Sequence, residues 1–588
     1  MTDAESLLVE TKGEAGRALP LALAAGLAHG LLAVAVARLL AEILDAIVFS
    51  RRPPDDLVLP LAGLVALAVV RAGLSGLAAF AAARAAAAAR RARFARLLAH
   101  VVALGPVRLA DRPTGEIATT LVDATAAIEP WYRGWLPARA RVAVLPIAIL
   151  VAVVPFDRLS ALALAATLPL LPWFMILVGG KAEEASRRQW RSLARLGGHL
   201  LDAIRGLPDL KLFGAARREI AVVRAMAERW RADAMAVLRL AFLSALVLEF
   251  FATVSIAVVA VTVGFRLMWG TLDFVSGLFV LVLAPEFYAP LRRLGAERHA
   301  RMEAIAAAER LVDLLDRPGP TRPPGTAHPA FGRAVALRLE DVRVTHADGR
   351  VALDRLDLDV AAGEHVALVG PSGAGKSTLL ALLLGFVEAE RGRVLVDGHP
   401  LDDLAPQARA DLLVHVPQRA HLFDADVDEN VALGRDPPEG DRATAIGAAL
   451  DLARADAFVA RLPHGRATRI TEGGGNLSGG EARRLALARA VYRPAPLVLF
   501  DEPTAHLDPS TEADVLAGLR ALAEGRTAIL VAHRLATLDG VDRVVVMEAG
   551  RIVEQGAPAD LLARGGRYAA MVRAAKGTPA PFAEERLP

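Results

Sequence analysis

The sequence predicts two unlike parts in one chain. A helical membrane domain of six spans comes first, and an α/β domain built around a phosphate-binding loop follows. Three observations carry this reading. Six apolar stretches crowd the first half. Gly370–Ser377 reads G-x-x-x-x-G-K-S, between an apolar strand and a helix-forming segment. Beyond a Pro-rich stretch, strand-like and helix-like segments alternate, as they do in α/β domains. At 588 residues the chain is too long for one core. We place the membrane domain at residues 1–316, the linker at 317–334, the α/β domain at 335–576 and a tail at 577–588.

The apolar stretches are Leu19–Phe49, Leu57–Ala82, Val142–Pro155, Leu159–Val178, Leu240–Val263 and Leu272–Leu291. A crossing needs about 20 residues. The third is short, and its start extends back into Leu136–Arg141. Length and repetition argue against buried helices of a soluble protein. Ala83–Arg133 and Lys181–Arg239 are long and polar, with about twenty Lys and Arg between them, so both read as cytoplasmic. The outer loops are short: Ser50–Asp56, Asp157-Arg158 and the turn at Trp269-Gly270. Both termini then face the cytoplasm, and the membrane helices run on into it through the long loops.

Composition agrees. Hydrophobic residues make up 54% of the chain and the formal charge is +3. A basic balance can mean nucleic acid, but here the Arg residues sit in loops beside apolar stretches, so no nucleic-acid partner is expected. With no Cys, disulfides, zinc–thiolate sites and Cys nucleophiles are excluded. Asp3, Glu5 and Glu10 precede the first apolar run, unlike the positive start of a signal peptide.

Ionisable residues interrupt the apolar stretches at His29, Arg38, Arg71, Glu249 and Glu286. Such a group at mid-bilayer costs about 3 kcal/mol on insertion scales, so it should face a cavity or a partner. Arg71, Glu249 and Glu286 are candidates for a polar substrate path, with Arg71 as the anion contact. The competing reading is pairing between helices or snorkelling, and it is the better one for His29 and Arg38. Arg317–Pro329 reads as an extended linker.

In the second half the loop Gly370, Pro371, Ser372, Gly373, Ala374, Gly375, Lys376, Ser377, Thr378 lies between strand His365–Val369 and a helix. Backbone N–H groups of such a loop cradle phosphates. Lys376 would reach the β- and γ-phosphates and Ser377 would bind Mg²⁺. Leu497–Phe500 is a buried strand ending in Asp501 and Glu502. Asp501 is the candidate for Mg²⁺ through water, and Glu502 for polarising the attacking water. The cofactors are therefore ATP and Mg²⁺.

Leu477-Ser478-Gly479-Gly480-Glu481 resembles the ABC signature, with Glu481 where the family has Gln. The resemblance implies that Ser478, Gly479 and Gly480 contact the γ-phosphate of an ATP bound to an opposing subunit. Gln418 resembles the Q-loop glutamine, which would sense the γ-phosphate and touch Mg²⁺. His533 resembles the switch histidine, Asp508 ends a D-loop-like segment, and Glu472 sits where exporters have the X-loop glutamate. His346 falls at the adenine-stacking position, where the family usually has Tyr, which puts nucleotide affinity in question.

Taken over nearly the whole length, the chain resembles an exporter-type ABC half-transporter (type IV). Arg112–Glu116 and Leu207–Gly214 are similar to its two coupling loops. Ala185–Leu201, Phe242–Ala252 and Leu281–Leu291 resemble the thiol-reductant exporter family of the cytochrome bd assembly system, in its CydD-like subunit. This implies a CydC-like partner in a heterodimer, surrounding membrane lipids, a bacterial inner-membrane location with the ATP domain cytoplasmic, and cysteine and/or glutathione as cargo moved to the periplasm. The alternatives are haem, for which His29, His199 and His299 are candidate ligands, and a lipid or drug cargo. A regulatory half that binds ATP but barely turns it over is a further option.

Overall fold

The computed structural model describes residues 6–8, 13, 15–321, 325–346, 348–433, 435, 440–503, 509–532 and 540–575. It divides into two compact units: Met1–Val102 with Arg112–Arg317, and Ala103–Asp111 with Pro318–Pro588.

The first unit is helical. Its long helices are Ala18–Val48, Pro54–Arg108 (broken at Gly105, φ 70°), Leu136–Val153, Leu170–Arg205, Ala216–Met268 and Phe274–Ala296. One face of Ala18–Val48 is lined by Ala and Gly at helical spacing, from Ala22 through Gly26, Gly30 and Ala37 to Ala41. Small residues let backbones approach closely where no solvent drives association. A Cβ on Gly26 would lie 2.9 Å from Arg141 Nη2, and one on Gly30 would lie 2.4 Å from Leu145 Cδ1. The two glycines, four apart, therefore receive two side chains four apart on the facing helix. Phe279, Phe287 and Tyr288 fill the centre, and the Tyr288 hydroxyl lies 2.6 Å from Thr167 Oγ1.

Pro54–Arg108 behaves differently. It exposes Leu59, Val65, Val69, Val70, Leu77 and Phe80, a face that water would not tolerate and hydrocarbon would. Among the described residues four helical stretches are long and apolar enough to cross a membrane: Pro54–Arg108, Thr114–Val153, Glu249–Met268 and Phe274–Leu315. Ala18–Val48 is also apolar, with no Asp, Glu, Lys or Arg before Arg38. The expected fourth span, Leu159–Val178, is divided into Arg158–Thr167 and a helix starting at Leu170, with Pro169 capping the second. The ten residues of Arg158–Thr167 cannot span a bilayer alone. The expected count of six spans is thus not reproduced as six unbroken helices. The outer turn before this helix is pinned by buried Asp157, which accepts from Leu159 N–H (3.1 Å) and takes Arg266 Nη1 on both oxygens (2.8 and 2.7 Å). Ala216–Met268, at 53 residues, would extend about 80 Å, well beyond one bilayer.

The second unit carries twelve strands among its described residues. An antiparallel sheet holds β1 (Leu337–Thr345), β2 (Val351–Val360), β4 (Arg391–Val396) and β5 (His399–Pro400) in the order β2-β1-β4-β5. A larger sheet holds β3 (His365–Val369), β6 (Leu413–Val416), β9 (Leu497–Asp501), β10 (Thr527–Val531), β11 (Arg543–Glu548) and β12 (Arg551–Gly556) in the order β12-β11-β3-β10-β9-β6. A short pair, β7 (Ala425–Asp426) and β8 (Arg469–Ile470), completes the set. The central strands are parallel and read as near-continuous apolar runs, because both faces are covered.

The linker does not hang free. Ala327 N–H donates to Asp403 O (2.9 Å), Ala405 N–H donates to Ala327 O (2.9 Å), and Thr321 Oγ1 donates to Glu388 (2.5 Å). Ala103–Asp111 belongs to this unit as well, with Arg108 paired to Glu388 at 3.6 Å.

Thr527 joins the two sheets. Its fully buried hydroxyl donates to Val335 O (2.6 Å) and accepts from Val335 N–H (3.1 Å) and Gly363 N–H (3.0 Å). Thr527→Val keeps the shape but strands those groups, at about 1–3 kcal/mol. The expected outcome is a fall of several degrees in the melting transition of the ATP unit, measured by scanning calorimetry on the full chain. An unchanged transition would show that the hydroxyl is dispensable.

Candidate functional site

The chemistry gathers at the carboxyl ends of the parallel strands. Val416 of β6 pairs with Phe500 of β9, and Asp501 of β9 pairs with Val531 of β10. Leu368 of β3 pairs with Val531 on one side and Val545 of β11 on the other. Gln418 and Glu502 therefore emerge two residues beyond the same rung, and Gly370 emerges two residues beyond Leu368. Crevices of this kind, outside strand ends, are where open α/β sheets hold ligands.

The loop after β3 needs its glycines. Gly370, Gly373 and Gly375 have φ of 151°, 81° and 102°. A Cβ on Gly370 would lie 2.2 Å from Met547 O, and one on Gly375 would lie 2.5 Å from Ala352 O. Only glycine tolerates both the conformation and the approach. Pro371, Ser372 and Gly373 are exposed, Ala374 is buried, and helix Lys376–Leu383 follows. Buried Lys376 donates to Gly370 O (2.7 Å) and Pro371 O (2.9 Å). Burial pushes its ammonium pKa down, while Glu502 and Asp501 pull it up. Ser377 is exposed, and Thr378 Oγ1 lies 3.5 Å from His346 Nε2.

Glu502 adopts a left-handed backbone (φ 45°), held by its N–H to Val531 O at 3.1 Å. Such a conformation in a residue with a side chain is strained, and strain of this sort collects at working sites. Gln418 Nε2 donates to Glu502 Oε2 at 2.8 Å. The structure thus joins Gln418 to Glu502 and His346 to Thr378, while Lys376 bonds within its own loop. His533 and Asp508 lie outside the described residues. A hydroxyl (Ser377), a carboxylate (Asp501) and an amide oxygen (Gln418) are hard oxygen donors, and with an open glycine loop they fit ATP with Mg²⁺.

Ser478 caps helix Gly479–Val491, and Glu481 completes a capping box. Glu481 N–H donates to Ser478 Oγ (3.3 Å), and Glu481 Oε2 accepts from Ser478 N–H (2.9 Å) and from its hydroxyl (2.8 Å). The Ser478 N–H holds the Glu481 carboxyl below the ordinary glutamate range, although partial burial opposes this. The departure from Gln therefore has a local role, since either residue suits that position of the box.

Sequence reasoning missed two arginines on the same helix. Arg483 Nη2 donates to Gln418 O (3.1 Å). Arg489 donates to Asn430 O (2.8 Å) and His421 O (3.0 Å), and its guanidinium lies 5.8 Å from the Phe423 ring centroid. The signal available was three basic residues in the run Glu481–Ala490, directly after the signature. The third, Arg484, donates instead to the Asp514 carboxylate at 3.0 Å.

Comparison with known proteins decides the family. A model described as "ABC transporter transmembrane region" matches residues 19–290, and one described as "ABC transporter" matches 353–505. The transport ATP-binding protein AarD of Providencia stuartii is 36% identical, over 95% of this chain and 96% of its own. The chain belongs to the ABC exporter family. The glutathione/L-cysteine transport system protein CydD of Escherichia coli is 37% identical, over 93% of this chain and 94% of its own. An ATP-dependent lipid A-core flippase of Ralstonia nicotianae is 37% identical, over 70% and 69% respectively. A bacterial Atm1-family ABC exporter solved with ATP bound has a TM-score of 0.78 and 26% identity, covering 96% of this chain and 98% of that one. This ABC exporter is therefore an ATP-driven transport ATPase with a helical membrane region ahead of an α/β nucleotide-binding domain.

Two outcomes follow. Glu481→Gln preserves the box and ATPase activity within about twofold, whereas Glu481→Ala frays the helix start by about 1 kcal/mol and lowers activity; steady-state turnover checks both. Because the Glu481 pKa is lowered, its contribution is whole at neutral pH and lost only as pH falls through that lowered value. His346→Tyr enlarges the ring available to adenine and tightens ATP binding, read by titration with a fluorescent ATP analogue. Unchanged affinity would remove His346 from the nucleotide.

Proposed function

We propose that this chain is one half of a dimeric exporter that uses ATP to move small thiols, cysteine and/or glutathione, from cytoplasm to periplasm across the bacterial inner membrane. The observation that carries the reading is similarity along more than nine-tenths of the chain to the CydD protein named for glutathione and L-cysteine. The lipid A-core flippase aligns over 70% of this chain. Haem draws no support from these relatives. Export of cysteine or glutathione would serve cytochrome assembly.

A CydC-like chain is the proposed partner. The chain holds one ATP unit, and its coupling segment Leu207–Leu212 ends in Leu212 and Phe213, 83% and 80% exposed, as a docking tip would be. Lys376 and the Gly370–Thr378 loop hold the phosphates, and Ser377, Gln418 and Asp501 would hold Mg²⁺, whose charge would offset that of the phosphates. Glu502 orients the attacking water and accepts its proton. Gln418, bonded to Glu502 and braced by Arg483, reports the γ-phosphate. His533 and Asp508 complete the site, His346 faces adenine, and Ser478, Gly479 and Gly480 close on the partner's ATP. Both termini lie in the cytoplasm, by the positive bias of the long loops.

The test is uptake of labelled cysteine or glutathione into inverted vesicles holding this chain and its co-expressed partner. Accumulation should require ATP and fall at least about 100-fold in Glu502→Gln. ATPase activity without thiol uptake, stimulated instead by haem or lipid A, would overturn the thiol reading.

A further inference from the structure

Three membrane helices meet at a polar cluster. Arg71 on Pro54–Arg108 donates through Nη2 to Glu286 Oε1 on Phe274–Ala296 at 2.5 Å. Its Nε donates to His29 O on Ala18–Val48 at 3.3 Å, and His29 Nδ1 lies 2.9 Å from Arg71 O. His29 and Arg71 thus each bond the other's main-chain carbonyl, which fixes where the guanidinium stands.

Arg71 is deep on its own helix. Arg71 lies fourteen residues after Leu57 and eleven before Ala82 in its apolar run. At 1.5 Å per residue the nearer end is about 16 Å away, beyond the reach of an arginine side chain, so Arg71 cannot snorkel out. It must be neutralised in place, and Glu286 does so.

A purely structural ion pair at this depth should be closed in and fully bonded. This one is neither. The side chains of Arg71 and Glu286 are 22% and 38% exposed. Among the described residues, Nη1 of Arg71 and Oε2 of Glu286 take no hydrogen-bond partner. An open guanidinium edge, suited to bidentate carboxylate binding, stands beside an open carboxylate oxygen.

We propose that Arg71 and Glu286, positioned by His29, bind the zwitterionic amino-acid group of the cargo, its α-carboxylate on Arg71 and its α-ammonium on Glu286. Electrostatics select this class. An anion would leave Glu286 uncompensated within the helix bundle, and a cation would leave Arg71 so. A zwitterion replaces one ion pair by two and leaves the net charge at zero. Cysteine is such a zwitterion, and the γ-glutamyl end of glutathione carries the same pair of charges, its glycine carboxylate lying outside this site; in that respect the assignment rests on the thiol-export reading. Glu249 is placed otherwise: Arg292 Nη1 takes both of its oxygens, at 2.8 and 3.0 Å, so it offers no open carboxylate oxygen and is not part of the site.

The experiment measures stimulation of ATPase activity in the wild-type chain with its partner in nanodiscs. Four compounds are compared: cysteine, serine, N-acetylcysteine and cysteine methyl ester. Blocking either charge should raise the half-maximal concentration about 10- to 100-fold, the worth of a charge-assisted hydrogen bond. Arg71→Met should erase the penalty against the ester, and Glu286→Gln the penalty against N-acetylcysteine. Equal action of cysteine and both blocked forms, no response to any compound, or penalties that survive both substitutions would overturn the site and leave thiol export to the vesicle assay. Serine acting as well as cysteine, with both penalties intact, would keep the site and sink the thiol reading. The wild-type comparison decides even if a variant does not fold.

Discussion

Each rung of the parallel sheet joins main-chain groups of neighbouring strands, and that ladder is what the ATP site hangs from. Once Val416 is level with Phe500, and Asp501 with Val531, the residues just past the strand ends have no freedom to be apart. Gln418 meets Glu502, and the loop from Gly370 opens beside them. A shift of one residue in the pairing would turn every side chain to the other face. The buried apolar runs of β3, β9 and β10 forbid such a shift, because it would disturb a core on both faces.

The signature helix is bound into the same frame. Its start is secured by Ser478 and Glu481, its second turn reaches Gln418 through Arg483, and its last turn grips the His421–Asn430 segment through Arg489. Movement at Gln418 would therefore be felt at the helix without passing through solvent. The acceptors Gln418 O, Asn430 O and His421 O are main-chain carbonyls, whose positions follow the fold and not a neighbouring rotamer.

The membrane unit obeys the opposite economy. Water is not there to solvate a stray charge, so every charge must find its complement in protein. Arg71 finds Glu286, Arg292 finds Glu249, and Arg266 finds Asp157. The glycines of Ala18–Val48 bring that helix against Arg141 and Leu145 of Leu136–Val153, and the apolar face of Pro54–Arg108 is left for lipid. Where a pair is left partly open, as at Arg71 and Glu286, it can exchange partners with a solute.

The sequence by itself determined the order of the parts and the nature of the ATP chemistry. Glycines at Gly370, Gly373 and Gly375, one Lys among few, and acidic residues ending an apolar strand are local requirements, written where the chain needs them. It also marked the intramembrane charges, since any ionisable residue in an apolar run stands out. It could not pair them, because Arg71 and Glu286 are 215 residues apart and only helix packing brings them together. It did not show that Leu159–Val178 divides into two helices at Leu168-Pro169, since hydropathy is blind to such a division. It marked Glu481 only as a departure from Gln, where the fold makes it part of the helix cap. Apolar periodicity and turn residues act over a few positions, and that range sets what a sequence can show; pairing, register and bracing act between distant segments, and only the folded chain decides them.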